Sequence, residues 1–384
     1  MLKSHKIRLE PNNKQATQLA QAAGVSRFAY NWALNQWKTQ YNKGLKPNEA
    51  DLRKQLNQIK HTEFPWMGDV TKCAPQEAIR DLGKAYQRFF TKQASYPKFK
   101  KKGIRDSFRI SSGNFKIENK YIKLPRIGLV KMSETLRFEG RPITATVSKT
   151  AGEWFVSISV ETTSKEKPIP NQIVGVDWGV REAVDSHNNR SIMPRAYRKS
   201  QSKLARAQKE LARRQKGSKN REKSKLRVQK IHAKIRNQRQ DYIHKLTTNL
   251  VENNHIIAIE NLRIKNMSKN RRLSKSILDA SYYEFRRQLE YKTKEQNTTL
   301  IIADQYYPST QICSKCEVKT KLTLKDRSWV CVHCSATHDR DLNAAINLEK
   351  LAVSSTERQN ACGREISPTQ QSRQTLMKQE LNTK

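Results

Sequence analysis

Two close cysteine pairs, Cys313-x-x-Cys316 and Cys331-x-x-Cys334, stand 14 residues apart. Four thiolates at that spacing can close a tetrahedron around one Zn²⁺. Redox pairs explain them less well, because no thioredoxin-like βαβ pattern surrounds them. Glu317 and Ser335 follow the pairs where zinc knuckles often carry glycine, and His333 is a conceivable alternative ligand. Carboxylates form the second group. Asp177 ends the apolar run Ile173-Val174-Gly175-Val176, Glu260 ends His255-Ile256-Ile257-Ala258-Ile259, and Asp339 and Asp341 open a segment that reads as a helix to Leu348. One acid at the end of an element is ordinarily a cap or turn residue. Three in one site could not all stay ionised without cations. Two Mg²⁺ ions would neutralise them, activate a water and stabilise the leaving oxygen of a phosphodiester.

The elements carrying these acids read as an α/β core. Ile173–Val176, Ile256–Ile259 and Thr299–Ala303 are short, β-branched and flanked by polar residues, as buried strands are. Val180 to Val184 and the Asn188-Asn189 turn suggest hairpin partners for the first. Between the acids, residues 191 to 240 hold 18 Lys and Arg against two acids, Glu210 and Glu222. Val228, Ile231, Ile235, Tyr242, Leu246 and Leu250 keep an apolar stripe through the tract, and Lys216-Gly217-Ser218 divides it into two helices. A cationic exterior on an apolar seam is a folded electrostatic surface suited to a duplex backbone, with Arg213, Arg214, Lys216 and Lys219 at its turn. Arg263 to Ser276 reads as a basic loop and Tyr282 to Gln296 as a helix.

The N-terminal part has a different texture. Lys3 to Leu9 suggests a strand, and Ala16–Ala23, Ser26–Tyr41, Asp51–Ile59 and a segment opened by Pro75 carry helical spacing. Short alternating segments between Ser107 and Thr162 then suggest a small β-barrel, with the helices inserted after its first strand. Tyr96, Lys98, Phe99, Lys100, Lys101 and Lys102 interleave aromatics with cations, a composition that stacks on bases and neutralises phosphates. Over 384 residues the chain carries 75 Lys and Arg against 35 Asp and Glu, a net charge of +40. That excess points to nucleic acid. No apolar run approaches the roughly 18 residues of a membrane span, and the start lacks an apolar signal core, so an intracellular protein is expected. Cys73 and Cys362 are isolated and read as ordinary thiols.

The motifs Val176-Asp177-Trp178-Gly179, Ile259-Glu260-Asn261-Leu262, Tyr307-Pro308-Ser309-Thr310 before the first cysteine pair, and His338-Asp339-Arg340-Asp341-Leu342-Asn343-Ala344-Ala345 resemble those of TnpB. This is the insertion-sequence-encoded family related to type V CRISPR effectors, and the resemblance runs from about residue 3 to 350. It implies an RNase H-like RuvC nuclease domain (166–305 and 338–352) with an inserted zinc ribbon (306–337) that binds target nucleic acid. A wedge β-barrel (1–10 and 96–165) carrying a helical recognition bundle (11–95) would precede it. Asp177, Glu260 and Asp341 become its Mg²⁺-binding catalytic acids, and Cys313, Cys316, Cys331 and Cys334 its zinc ligands. Trp178 replaces a smaller aliphatic residue usual in the family.

The implied activity is guide-RNA-dependent cleavage of double-stranded DNA beside a short transposon-adjacent motif, in a monomer of the prokaryotic cytoplasm and nucleoid. An RNA-guided DNA-binding regulator without cleavage, a transposase and a guide-free nuclease are the alternatives. Residues 353–384 lack periodicity and are expected to be mobile.

Overall fold

The computed structural model describes residues 1–163, 170–270, 273–323 and 326–361, the last four without side chains. It divides into two units, Met1–Ser164 and Lys165–Lys384. Residues 165–172, which with two prolines read in the sequence as a linker, lie largely outside the described residues, as does Cys362.

The first unit opens with β1 (Leu2–Glu10), followed by α1 (Asn13–Asn42), α2 (Glu49–Ile59), a 3₁₀ turn (Pro65–Asp69) and α3 (Cys73–Phe90). Asn12 caps α1 in a reciprocal box with Gln15. The two helical segments expected on either side of Gly24 form one helix, since Leu19, Ala22, Ala23, Ser26, Ala29, Tyr30 and Ala33 make one unbroken buried stripe. Strands β2 (Ser107–Ser111), β3 (Lys116–Glu118), β4 (Tyr121–Leu124), β5 (Gly128–Met132), β6 (Arg141–Thr150) and β7 (Glu153–Glu161) join β1 in a seven-stranded sheet ordered β2-β6-β7-β1-β5-β4-β3. Its outermost strands, β2 and β3, are not paired with each other, so the expected barrel is instead an open sheet among the described residues. β3 stops after three residues, two of them exposed. β2 is engaged by α3 through Arg109, which pairs with Asp81 at 2.9 Å. Such short or covered edge strands end a sheet rather than close it.

The second unit is built on β8 (Ile173–Trp178), β9 (Glu182–Asp185), β10 (Arg190–Ile192), α4 (Ala196–Arg213), α5 (Lys219–Asn253) and β11 (Ile256–Ile259). Then follow α6 (Ile264–Met267), α7 (Ser274–Ala280), α8 (Tyr282–Gln296), β12 (Thr299–Ile302), β13 (Ser328–Val330), β14 (Thr337–Asp339) and α9 (Arg340–Ala361). Its five-stranded sheet runs β10-β9-β8-β11-β12, with β8, β11 and β12 parallel and the β9–β10 hairpin antiparallel on β8. Parallel strands covered on both faces need apolar residues on both, which is why β11 is buried at every position. The expected basic loop after Glu260 carries two short helices, α6 and α7. α9 extends to Ala361, past the boundary at 352 where a mobile tail was expected, because Leu348 and Ala352 remain fully buried against the sheet. The rest of that tail lies outside the described residues.

Gly175 sets how closely α9 approaches. A Cβ there would lie 2.0 Å from the Ala345 carbonyl oxygen and 2.5 Å from the Glu349 nitrogen, both backbone atoms that cannot rotate away. Gly175→Ala is therefore expected to destabilise the second unit by about 3 kcal/mol or more, a Tm drop of roughly 6–12 °C for a domain of this size. Thermal melting compared with Gly68→Ala, at an open position without a left-handed backbone, checks it. Equal melting of the two variants would mean that α9 does not rest on β8.

Candidate active site and metal centre

β8 and β11 pair in parallel with Val176 opposite Ile259. The next residues, Asp177, still within β8, and Glu260, just past β11, therefore lie side by side at the carboxyl ends of these strands. α9 crosses β8, and Asp341 lies one helical turn before Ala345, the residue whose carbonyl touches Gly175. The three acids feel one another. Burial, then repulsion by Glu260 and by Asp341, pushes the Asp177 carboxyl well above the usual carboxylate range. Glu260 is also raised, by burial and by Asp341, against a hydrogen bond from Ser309 that pulls it down. Asp341 is paired at 3.3 Å with both Arg327, from β13's approach, and Arg340.

Packing around the acids is specific. Trp178, buried, stacks on Phe285 with centroids 3.8 Å apart and donates its indole N–H to the Ala280 carbonyl. The large residue is thus absorbed by α8. The Ser309 hydroxyl donates to Glu260 Oε1, and the Tyr282 hydroxyl to the Glu260 carbonyl. Asn343 and Asn347, one turn apart on α9 and both about 1% exposed, each donate at 2.7 Å to the Ile312 carbonyl. Asn347 also donates to the Ser309 carbonyl at 2.7 Å, and Asn343 Oδ1 accepts from Ser314 N–H. One helix thereby carries Asp341, fixes the backbone of the residue that holds Glu260, and anchors the entry to the cysteine-rich segment. Ser309 belongs to the Tyr307-Pro308-Ser309-Thr310 motif, where the sequence alone assigns it no role. Asn343 and Asn347 were missed as positioning residues, although two amides beside Ala344, Ala345 and Leu348 on a buried face were a signal.

Asp339 and Asp341 separate cleanly. Asp339 Oδ1 accepts from the amides of Asp341 and Leu342 at 3.1 and 3.0 Å, the bonds of an N-cap, and its other oxygen pairs with Arg190 at 3.2 Å.

The four cysteine sulfurs all lie within 4.8 Å of one another, and among the described residues no other group brings three or more such donor atoms so close. The three acids are coupled more loosely. Cys313 pairs with Cys334 and Cys316 with Cys331 at 3.6 Å between sulfurs. Each half is a tight turn: Glu317 N–H donates to the Cys313 carbonyl and Ser335 N–H to that of Cys331, at 2.8 and 2.9 Å. Glu317 and Ser335 have φ of 64° and 56°, so the glycine-like positions do require the left-handed conformation, held by residues that tolerate it poorly. Backbone N–H groups of Cys334 and His333 lower the Cys331 thiol to about 6, which favours the thiolate a metal needs. His333 is exposed, while His338 Nε2 lies 3.1 Å from Cys313 Sγ. A soft four-sulfur donor set of this size fits Zn²⁺.

The expected nucleic-acid contacts fall on both units. Tyr96 and Phe99 are 40% and 48% exposed, with Lys38 Nζ 5.5 and 4.9 Å from their ring centroids. Lys98, Lys101 and Lys102 are exposed. Lys100 is turned inward, its Nζ 3.9 Å from the Tyr30 ring and its basicity lowered by burial, so it is not a free surface cation. Arg213, Arg214, Lys216 and Lys219 are exposed at the turn between α4 and α5, where Gly217 adopts φ +86° and Ser218 caps α5. Ala196, Leu204, Ala207, Ile231 and Ile235 form the seam. No helix among the described residues is long and apolar enough to cross a membrane.

Residues 155–271 match a family model of the IS605 OrfB type described as "Probable transposase". Residues 282–348 match one described as "Cas12f1-like, TNB domain", and residues 1–46 one described as "Helix-turn-helix domain". A Streptomyces pristinaespiralis protein named "Putative RNA-guided DNA endonuclease" is 34% identical over 382 residues, covering 97% of this chain and 94% of its own length. InsQ of Escherichia coli K12, under the same designation, is 32% identical over 368 residues, covering 90% of this chain and 91% of its own. A solved Cas12f1–sgRNA–target DNA complex aligns over 91% of this chain and 99% of its own at 15% identity, but its TM-score of 0.36 is too low to bear on the fold.

Proposed function

The chain belongs to the TnpB family, and from that premise we propose that it is a guide-RNA-dependent DNA endonuclease of the RuvC type, cutting beside a short adjacent motif. The observation that carries this is the convergence of Asp177 and Glu260, at the carboxyl ends of two parallel strands, with Asp341 of α9, close enough that their charges repel. Hard oxygen donors that repel one another suit Mg²⁺. Asp177, Glu260 and Asp341 would hold two such ions, which when bound supply water activation and charge neutralisation at the phosphodiester. The protein's own part is positional. Ser309 orients the Glu260 carboxylate, the β8–β11 register sets Asp177 beside it, and α9, seated on Gly175, delivers Asp341. Arg327 and Arg340 balance Asp341's charge. The four cysteines would hold one structural zinc.

In this reading guide pairing supplies sequence, and the protein reads backbone shape and the adjacent motif. The net charge of +40 and the exposed turn between α4 and α5 support RNA and DNA as partners. Purification with RNA co-expressed from the protein's own locus, followed by sequencing of what stays bound, tests the RNA half. One discrete species is expected; a random transcript population would remove it. Neutralising Arg213, Arg214, Lys216 and Lys219 should weaken binding to all sequences alike, each lost phosphate contact reducing the salt slope by roughly 0.7 to 0.9. An unchanged slope in a salt titration would make the turn a solvated face only.

Asp341→Asn should eliminate cleavage with melting nearly unchanged, whereas Asp339→Asn keeps a capping side chain and should remain largely active. Plasmid cleavage by the two variants separates the roles, and the reverse outcome would exchange them.

A further inference from the structure

A cleft of about 590 Å³ opens beside Glu260, between the chain that leaves β11 and the first two turns of α8. Four cations line it, Arg263, Lys265, Arg286 and Arg287, against one carboxylate, Glu290. It is joined to the main chain of Glu260. Tyr282, in its wall, hydrogen-bonds the Glu260 carbonyl, and Arg286 is held at 3.0 Å by Asn261 and at 2.9 Å by Glu290. Beside buried Tyr282 the lining includes Tyr283, which is 74% exposed and packs into no core. A second tyrosine, Tyr306, 78% exposed, lies 5.9 Å from the Arg263 guanidinium. The volume falls in the range of about 300–1,000 Å³ of pockets that enclose molecules the size of a nucleotide. Arg286 and Arg287 are neutralised by Glu290 and Glu284, whereas among the described residues no carboxylate pairs with Arg263 or Lys265. Exposed aromatic faces beside such cations are what unpaired nucleotides require, one to stack on and the other for the phosphate.

We propose that this cleft seats one or two unpaired nucleotides of the DNA strand running to Glu260, with a base stacked on Tyr283 and the adjoining phosphate at Arg263 and Lys265. The proposal rests on the nuclease reading for its choice of DNA, but the cleft binds through groups that are not the three acids. It makes Tyr283 a positioning residue.

The test uses the ribonucleoprotein and a short single-stranded DNA carrying 5-iododeoxyuridine, irradiated and mapped by mass spectrometry. A crosslink on the peptide containing Tyr283 is expected, lost in Tyr283→Ala and kept in Tyr283→Phe, which preserves the ring. In a parallel cleavage assay, Tyr283→Ala should raise the half-saturating DNA concentration roughly tenfold, the scale of one lost base–aromatic contact, with the maximal rate nearly unchanged. Crosslinking confined to other peptides, or equal half-saturation in wild type and Tyr283→Ala, would overturn the proposal. A Tyr283 crosslink in protein that cuts nothing in Mg²⁺ would retain the cleft and remove the nuclease reading. Cutting without that crosslink would do the reverse.

Discussion

Asp177→Ala and Glu260→Ala ribonucleoproteins are expected to bind guide and target as the parent does and to cut neither strand in Mg²⁺. On the proposed reading each substitution removes a metal ligand, and the charge stabilisation a bound ion supplies is worth several kcal/mol, so the rate should fall by at least roughly 10³-fold. The exposed cations Lys98, Lys101 and Lys102 and those of the α4–α5 turn are untouched, so affinity should hold. Stability should move the other way. Asp177's folded-state pKa is raised by burial and by its two neighbours. Its ionisation therefore costs stability, progressively, as pH rises from the unfolded carboxylate's pKa through the folded one. At neutral pH in EDTA, Asp177→Asn should melt above the parent. A gain in stability together with a loss of cleavage is the signature of a site built for cations, and a merely structural aspartate would show the opposite. Single-turnover cleavage, filter binding and melting in EDTA read the three quantities. Retained Mg²⁺-dependent cutting by either alanine variant would sink the assignment of these acids.

The second large effect concerns the cysteines. Freshly prepared, reduced protein should contain one zinc per chain, and Cys331→Ser should unfold the cysteine-rich segment. That segment's own core is little more than Trp329 and Leu322 beside the cysteines, too small to stand alone. Structural zinc contributes about 10–16 kcal/mol in comparable small motifs. The consequence should reach the acids. Asn343 and Asn347 clamp the backbone from Ser309 to Ser314, Ser309 holds Glu260, and Arg327 pairs with Asp341. Cys331→Ser should therefore lose cleavage as well as protease resistance between 313 and 337, whereas Cys73→Ser, in the first unit, should keep both. Metal analysis showing no zinc, or a Cys331→Ser protein as protease-resistant as the parent, would refute the account of this centre.

The strands bearing Asp177 and Glu260 were legible in the sequence because parallel, doubly covered strands must be apolar on both faces, which leaves a terminal acid conspicuous. The cysteine spacing was legible because metal geometry tolerates little variation. Even the left-handed turns at Glu317 and Ser335 could be suspected from residues standing where glycine is usual. Closure of the N-terminal sheet was not legible, since alternation describes a strand's two faces and says nothing about which edges pair. The continuity of α1 through Gly24 was hidden by a local residue preference that the tertiary stripe overrides. The roles of Ser309, Asn343 and Asn347 were hidden too, because the groups they hold are backbone carbonyls and a carboxylate far away in sequence. The inward turn of Lys100 shows the same limit from the other side, for composition cannot distinguish a lysine over a buried tyrosine from one facing a phosphate.

The most direct measurement is guide-programmed cleavage. The protein, purified with an RNA whose guide segment has been rewritten, is incubated in Mg²⁺ with two plasmids that differ only in whether they carry the matching target beside a randomised flanking motif. Double-strand cuts are expected only in plasmids that match the new guide and only beside one short motif, with none when the RNA is omitted or Glu260 is replaced by alanine. Cutting of both plasmids alike, cutting without RNA, or recovery of joined rather than hydrolysed ends would contradict the account.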